Sequence, residues 1–191
     1  MKPSVTLTPT VPSADPKTWQ AIERLYLAAF PESERRPVDS WRDKAETDSR
    51  FSVLSICEEE LQKGFISYWS LDNFIYVEHF AITPDHRSGG TGSRALQQFL
   101  ANTTPTPIIL EIEPPSAPIT LRRQNFYIRN GFTPSPRPYA QPPYSPTQPS
   151  IPLRLLSTAP TFLEEHWDEV VRAIHGFVYG VQENATKERR S

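Results

Sequence analysis

Cysteine is all but missing from this sequence. Cys57 stands alone, so no intrachain disulfide can form, and it fits no metal-ligand spacing. Its expected state is a small buried apolar residue in a reducing, cytoplasmic setting, and no metal is expected. An excess of either charge is lacking too. Lys and Arg number 20 against 22 Asp and Glu, a formal charge of −2, and the bases are spread along the chain. Nucleic acid is therefore not an expected partner. The first sixteen residues, MKPSVTLTPTVPSADP, contain no apolar run. Neither a signal peptide nor a membrane contact is expected from them. Glycine is scarce at seven in 191 residues, yet Gly89, Gly90 and Gly92 fall within four positions.

Proline is what the chain has in quantity: 21 residues, eight of them between 134 and 152. The aromatic and aliphatic runs around them argue for a local extended segment, not general disorder. Pro143, Pro146, Pro149 and Pro152 recur at a spacing of three, which would line one face of a polyproline II helix. The length suits one domain with a sizeable core, expected over 1–160, followed by an appended segment, 161–191.

Periodicity gives the element order. Trp19, Ile22, Leu25, Tyr26 and Phe30 predict a helix over 17–30, capped by Asp15 with Pro16 first, and a short helix follows near 38–46. FSVLSICEE (51–59), GFISYWSL (64–71) and FIYVEHFAI (74–82) read as consecutive strands of an antiparallel meander. A helix over 91–101, a strand over 107–113 and a helix over 119–131 come next, which makes 74–113 a right-handed β-α-β crossover. IPLRLL (151–156) closes the sheet. An amphipathic helix over 161–182 carries Leu163, Trp167, Val170, Val171, Ile174, Phe177, Val178 and Val181 on one stripe. That stripe has two open coverings, the sheet itself or a second subunit in a homodimer. The tail ATKERRS is expected to fray. The expected class is mixed α/β: a mostly antiparallel twisted sheet with one parallel crossover and splayed strands, flanked by helices.

The glycine cluster has three readings. It is a flexible turn, an anion cradle at a helix N-terminus, or part of a dinucleotide fingerprint, since Gly90-Thr-Gly92-Ser-Arg-Ala95 satisfies G-x-G-x-x-[GA]. The fingerprint fails on context. Thr83-Pro-Asp-His-Arg-Ser separates the first glycine from its strand, and three antiparallel-looking strands come before it.

Arg87-Ser-Gly-Gly90-Thr-Gly92 resembles the R/Q-x-x-G-x-G/A acyl-CoA loop of the GNAT superfamily of N-acetyltransferases. Phe80-Ala-Ile-Thr-Pro-Asp85 before it, Leu110-Glu-Ile-Glu113 after it, and Phe126-Tyr-Ile-Arg-Asn-Gly-Phe132 last are similar to that family's pattern in order and spacing. The resemblance implies acetyl transfer from acetyl-CoA to a primary amine by direct attack, with a small-molecule or peptide amine as acceptor. It implies that backbone at Phe80, Ala81 and Ile82 holds the pantetheine arm. Arg87, Ser88, Gly89, Gly90, Thr91, Gly92 and Ser93 would hold the pyrophosphate. A bulge or splay beside 78–80 would leave room for the thioester. Tyr127 would donate to the departing sulfur. Glu111 is favoured as the base, with Glu78 the alternative and Glu113 on the face of Glu111. Strand alternation places Glu78 with Phe80 and Ile82, and His79 with Ala81 on the other side. The family's asparagine at the strand-to-helix junction is replaced here by Pro114-Pro-Ser-Ala-Pro118, with Ser116 as substitute. Tyr139, Tyr144 and the prolines read as a stiff wall for the acceptor, or else as a docking site for a proline-binding domain. The rival function is a non-catalytic acyl-CoA-binding or docking module on the same fold.

Overall fold

A computed structural model describes residues 3–145 and 147–181. Eight strands form one sheet: β1 (Val5–Pro9), β2 (Phe51–Glu58), β3 (Leu61–Leu71), β4 (Phe74–Ile82), β5 (Ile108–Ile112), β6 (Thr133–Pro134), β7 (Tyr139–Gln141) and β8 (Ile151–Ser157). The order is β1-β2-β3-β4-β5-β8-β6, with β7 on β8. Every pairing is antiparallel except β4 with β5. The mixed α/β class expected from the sequence is the one observed.

Helices cover both faces. On one face lie α1 (Pro16–Ala29), α2 (Val38–Thr47), α5 (Pro160–Glu165) and α6 (Trp167–Ala173), burying Trp19, Ile22, Tyr26, Trp41, Leu163 and Val170 against Phe65, Trp69 and Tyr76. On the other lie α3 (Thr91–Thr103) and α4 (Pro118–Arg129), where Leu96, Phe99 and Tyr127 meet Ile66, Val77 and Leu110. Helix α1 starts as its sequence dictates: Asp15 accepts from the Thr18 amide at 3.0 Å, and Pro16, which has no amide to lose, stands first. Tyr26 stacks on Trp41 at 4.2 Å between centroids, a large apolar contact that fixes α1 against α2. No helix among the described residues is long and apolar enough to cross a membrane.

Three expectations change, and one strand was not assigned from the sequence. Val5–Pro9 adds β1 to the edge of β2. Its exposed, Thr-rich pattern hid it, and Val5 and Leu7 are the side chains that pack inward. Cys57, on β2, is half-buried. The period-three prolines do not form one polyproline helix. The chain reverses there, pairing Ala140 with Pro152 and Gln141 with Ile151 in a hairpin, so Pro143 falls in the connecting loop and Pro152 on the β8 arm; Pro146 lies outside the described residues. The helix expected over 161–182 is broken at His166 (φ −111°, ψ 21°) and ends in a π-helical turn, Ile174–Val178. Leu163, Val170, Ile174 and Val178 are buried, whereas Phe177 and Val181 are exposed. The tail ATKERRS lies outside the described residues.

Candidate active site

Strands β4 and β5 pair over only three positions, Ile75–Val77 against Ile108–Leu110, and then part. β4 runs on to Ile82 and β5 to Ile112 without meeting. The parting opens a cleft of about 710 Å³ that takes in the N-terminal loop of α3 at one end and Phe30, Glu34, Gln141, Tyr144 and Leu153 at the other. Phe80 and Phe126 stand in its wall with near-parallel rings 6.1 Å apart.

A bulge shapes the β4 side. Ser67 pairs with His79 but Tyr68 with Val77, so Glu78 is the extra residue. The bulge falls beside residues 78–80, and it corrects the alternation argument. Glu78 does not share a face with Phe80 and Ile82. It turns toward Trp69 on the α1 side, as Tyr76 and His79 do.

The glycine loop enters α3 through two left-handed residues, Ser88 (φ 72°) and Gly90 (φ 81°), the latter the N-cap. Gly90 is required by its conformation, since an L side chain costs about 1–2 kcal/mol in that region. Gly92 lies close to the cleft wall: a Cβ there would make ordinary van der Waals contact, 3.4 Å from Ile82 and 3.6 Å from a Phe126 ring carbon. Phe80, Ala81, Ile82, Arg87, Ser88, Gly90, Gly92 and Ser93 all line the cleft. Two of the predicted loop residues do not. Gly89 has no neighbour within 4 Å of a Cβ position, so nothing in the protein crowds it. Thr91 is buried and donates to Glu58 Oε1 at 3.1 Å, which ties the loop to β2. Arg87 spends its Nε on the Ile82 carbonyl, 2.9 Å away. Arg122 and Arg129 of α4 add cationic groups to the cleft, and Arg123 there pairs with Glu113.

The two candidate bases have opposite surroundings. Glu78 accepts from Arg36 Nε at 3.0 Å, Trp69 Nε1 at 2.8 Å and Tyr144 Oη at 2.7 Å. Burial alone would raise its pKa, but Arg36 and these donors hold it below the ordinary carboxylate value. Arg36 is fixed in turn between the rings of Trp69 and Tyr144 and donates to the Val178 carbonyl. Glu111 sits in a tyrosine cage. Tyr179 donates to its Oε1, while Oε2 is buried without a hydrogen bond among the described residues. Tyr76 and Tyr139 also stand near enough to favour the charged form, but burial outweighs all three and pushes the carboxyl up to about 7.

Tyr127 lines the cleft from α4, and burial raises its phenol to about 12. Ser116 does not reach the cleft; its hydroxyl turns to the Pro114 carbonyl at 3.4 Å. His79 is a buried structural residue, with Nδ1 3.3 Å from Ser67 Oγ and Nε2 3.1 Å from the Glu34 carbonyl. Burial lowers its pKa. The hairpin delivers Tyr144 to Glu78 and into the cleft lining, and Tyr139 to the neighbourhood of Glu111, where it does not line the cleft. Sequence reasoning missed Arg36 and Tyr179. Arg36 looked like one of several loop arginines, and Tyr179, between Val178 and Val181, was not one of the stripe positions, so no local pattern marked either.

The family model described as the acetyltransferase (GNAT) family matches residues 19–104. A GNAT-family structure from Bacteroides thetaiotaomicron is 34% identical, with a TM-score of 0.88 over 93% of this chain and 99% of that one. The fold also matches a spermidine N-acetyltransferase from Vibrio cholerae, solved with CoA and spermine, at 11% identity and a TM-score of 0.59, covering 81% of this chain and 94% of that one. It matches the ribosomal-protein-S18-alanine N-acetyltransferase of Escherichia coli at 16% identity and a TM-score of 0.54, covering 80% and 92%. No curated protein matches the sequence.

Proposed function

This chain belongs to the GNAT family of acetyltransferases, and from that premise we propose that it moves an acetyl group from acetyl-CoA to a primary amine by direct attack. One observation carries the reading: the parting of β4 and β5 joins the glycine loop of α3 and a buried carboxyl of raised pKa in one cleft.

The residues present fit an acyl-CoA. The β4 edge from Glu78 to Ile82 lacks a strand partner on the β5 side, so it offers backbone groups at Phe80, Ala81 and Ile82 to an extended amide-bearing arm. The loop from Ser88 to Ser93 presents amides at a helix N-terminus, where an anion gains about 0.3–1 kcal/mol when exposed and up to ~2 when partly buried. When bound, acetyl-CoA supplies an acyl group activated as a thioester.

Glu111 acts as the base. A lysine-like amine is mostly protonated at neutral pH, and making it neutral costs roughly 4–5 kcal/mol. A carboxyl poised near 7 and lacking a donor on Oε2 is suited to take that proton. Glu78 is the weaker candidate because its charge is already matched by Arg36 and three donors satisfy it. Tyr127 stays protonated throughout the neutral range and donates a hydrogen bond to the departing sulfur. The acceptor is a small-molecule or peptide amine, admitted from the Phe30–Tyr144 end.

The test is transfer of labelled acetyl from acetyl-CoA to a panel of amines and N-terminal peptides, alongside calorimetry with CoA. Transfer that falls sharply in Glu111→Gln and Tyr127→Phe is expected. CoA binding without turnover on any amine would leave a binding module; no heat with CoA would end the reading altogether.

A further inference from the structure

The C-terminal segment does more than cover the sheet. Val170, Ile174 and Val178 pack into the core beneath β4 and β5, and the Val178 carbonyl takes a hydrogen bond from Arg36. That anchoring delivers the next residue, Tyr179, to the Glu111 carboxyl. Its hydroxyl donates to Glu111 Oε1 and lies 3.1 Å from the hydroxyl of Tyr76, and its ring packs 4.9 Å from that of Tyr144. Tyr139 adds a buried hydroxyl facing Glu111 that has no hydrogen bond by geometry among the described residues.

We infer that Tyr179 is a positioning residue for acetyl transfer: by donating to Oε1 of Glu111 it fixes the direction of the carboxyl, whose Oε2 is buried and makes no hydrogen bond among the described residues. The inference rests on the reading of Glu111 as base. It follows from the inventory of donors. The groups facing Glu111 are Tyr76 and Glu78 from β4, Tyr139 from β7, Tyr144 from the hairpin and Tyr179 from the C-terminal segment. Glu78 donates nothing and Tyr144 is committed to Glu78; Tyr76 and Tyr139 stand close enough to favour the charged form, but among the described residues only the Tyr179 hydroxyl meets hydrogen-bond geometry with the carboxyl. A carboxylate with one oxygen held by a single donor cannot rotate freely, so its second lone-pair set is kept in one direction.

The experiment is an infrared titration of the Glu111 carboxyl in the full chain without ligand, isolated by subtracting the Glu111→Gln spectrum. Removing a donor to the charged form in Tyr179→Phe should raise the midpoint by about one pH unit while the fold persists. Phe177→Ala, which alters the exposed ring on Arg50 in the same segment, should leave it unchanged. Tyr76→Phe, which removes the partner behind Tyr179, should give a smaller rise and keeps the question open to test if Tyr179→Phe folds poorly. An unmoved midpoint in both tyrosine variants overturns the role of Tyr179. In acetyl transfer, Tyr179→Phe should move the acid limb of the pH profile with the infrared midpoint. If Glu111→Gln keeps that limb, the base assignment itself fails, whatever Tyr179 does.

Discussion

Arg36 reaches from the loop after α1 to Glu78 in the bulge of β4, its Nε 3.0 Å from Oε1, with side-chain exposures of only 9% and 1%. A buried pair of this kind contributes little when both partners are replaced together, but losing one strands the other. Arg36→Ala should therefore cost about 3–5 kcal/mol in denaturant unfolding. Arg36→Met with Glu78→Leu should recover most of that loss, and the coupling is read from a double-mutant cycle.

Glu111 makes stability depend on pH in the less usual direction for a carboxylate. Its native value, about 7, lies above the ordinary 4.5, so between the two the folded chain holds a proton that the unfolded chain has released. Stability should be fully supported below the ordinary value and fall as pH rises through about 7, by ~3 kcal/mol over the whole window. Glu111→Gln should flatten this part of the profile. Urea unfolding of both proteins at about pH 5 and pH 8 measures the difference.

Gly90→Val places a β-branched side chain at φ 81°. The loop can keep its turn only at a strain of about 1–2 kcal/mol, or abandon it and with it the presentation of amides. Either route should weaken CoA binding by roughly tenfold or more, seen by calorimetry. Gly89→Ala, where no protein atom lies within 4 Å of the added methyl, should leave the stability of the fold nearly as wild type.

Tyr127→Phe keeps the ring that packs against Phe126 and Phe132 and removes only the hydroxyl. We expect kcat to fall about 10²-fold with little change in KM, as for a donor that acts only on the departing group. Because the phenol titrates near 12, no basic limb in the neutral range should disappear with it.

The elements were legible wherever the periodicity was local. Asp15-Pro16 marked the start of α1, and the apolar runs at 51–58 and 74–82 marked β2 and β4. The stretch from Arg87 to Ser93 was legible as the entry to α3, because glycines are scarce elsewhere and cluster there. Legibility failed where an outcome depended on a neighbour. Alternation put Glu78 on the Phe80 face, and nothing in FIYVEHFAI announces the bulge that turns it over. The threefold prolines satisfied a helix that needs no partner, yet β8 offered them a hairpin. Arg36 and Tyr179 gained their roles from contacts across 42 and 68 positions of chain, distances no local pattern spans.

The short β4–β5 ladder divides the sheet into two slabs, β1 to β4 and β5 with β8, β7 and β6, riveted by three rungs. Each slab has its own longer ladders and helical cover, so prying at the seam would leave both intact. Breathing of the molecule is thereby concentrated along the line where a ligand would enter, and amides at Val77 and Leu110 should exchange with solvent sooner than those inside either slab.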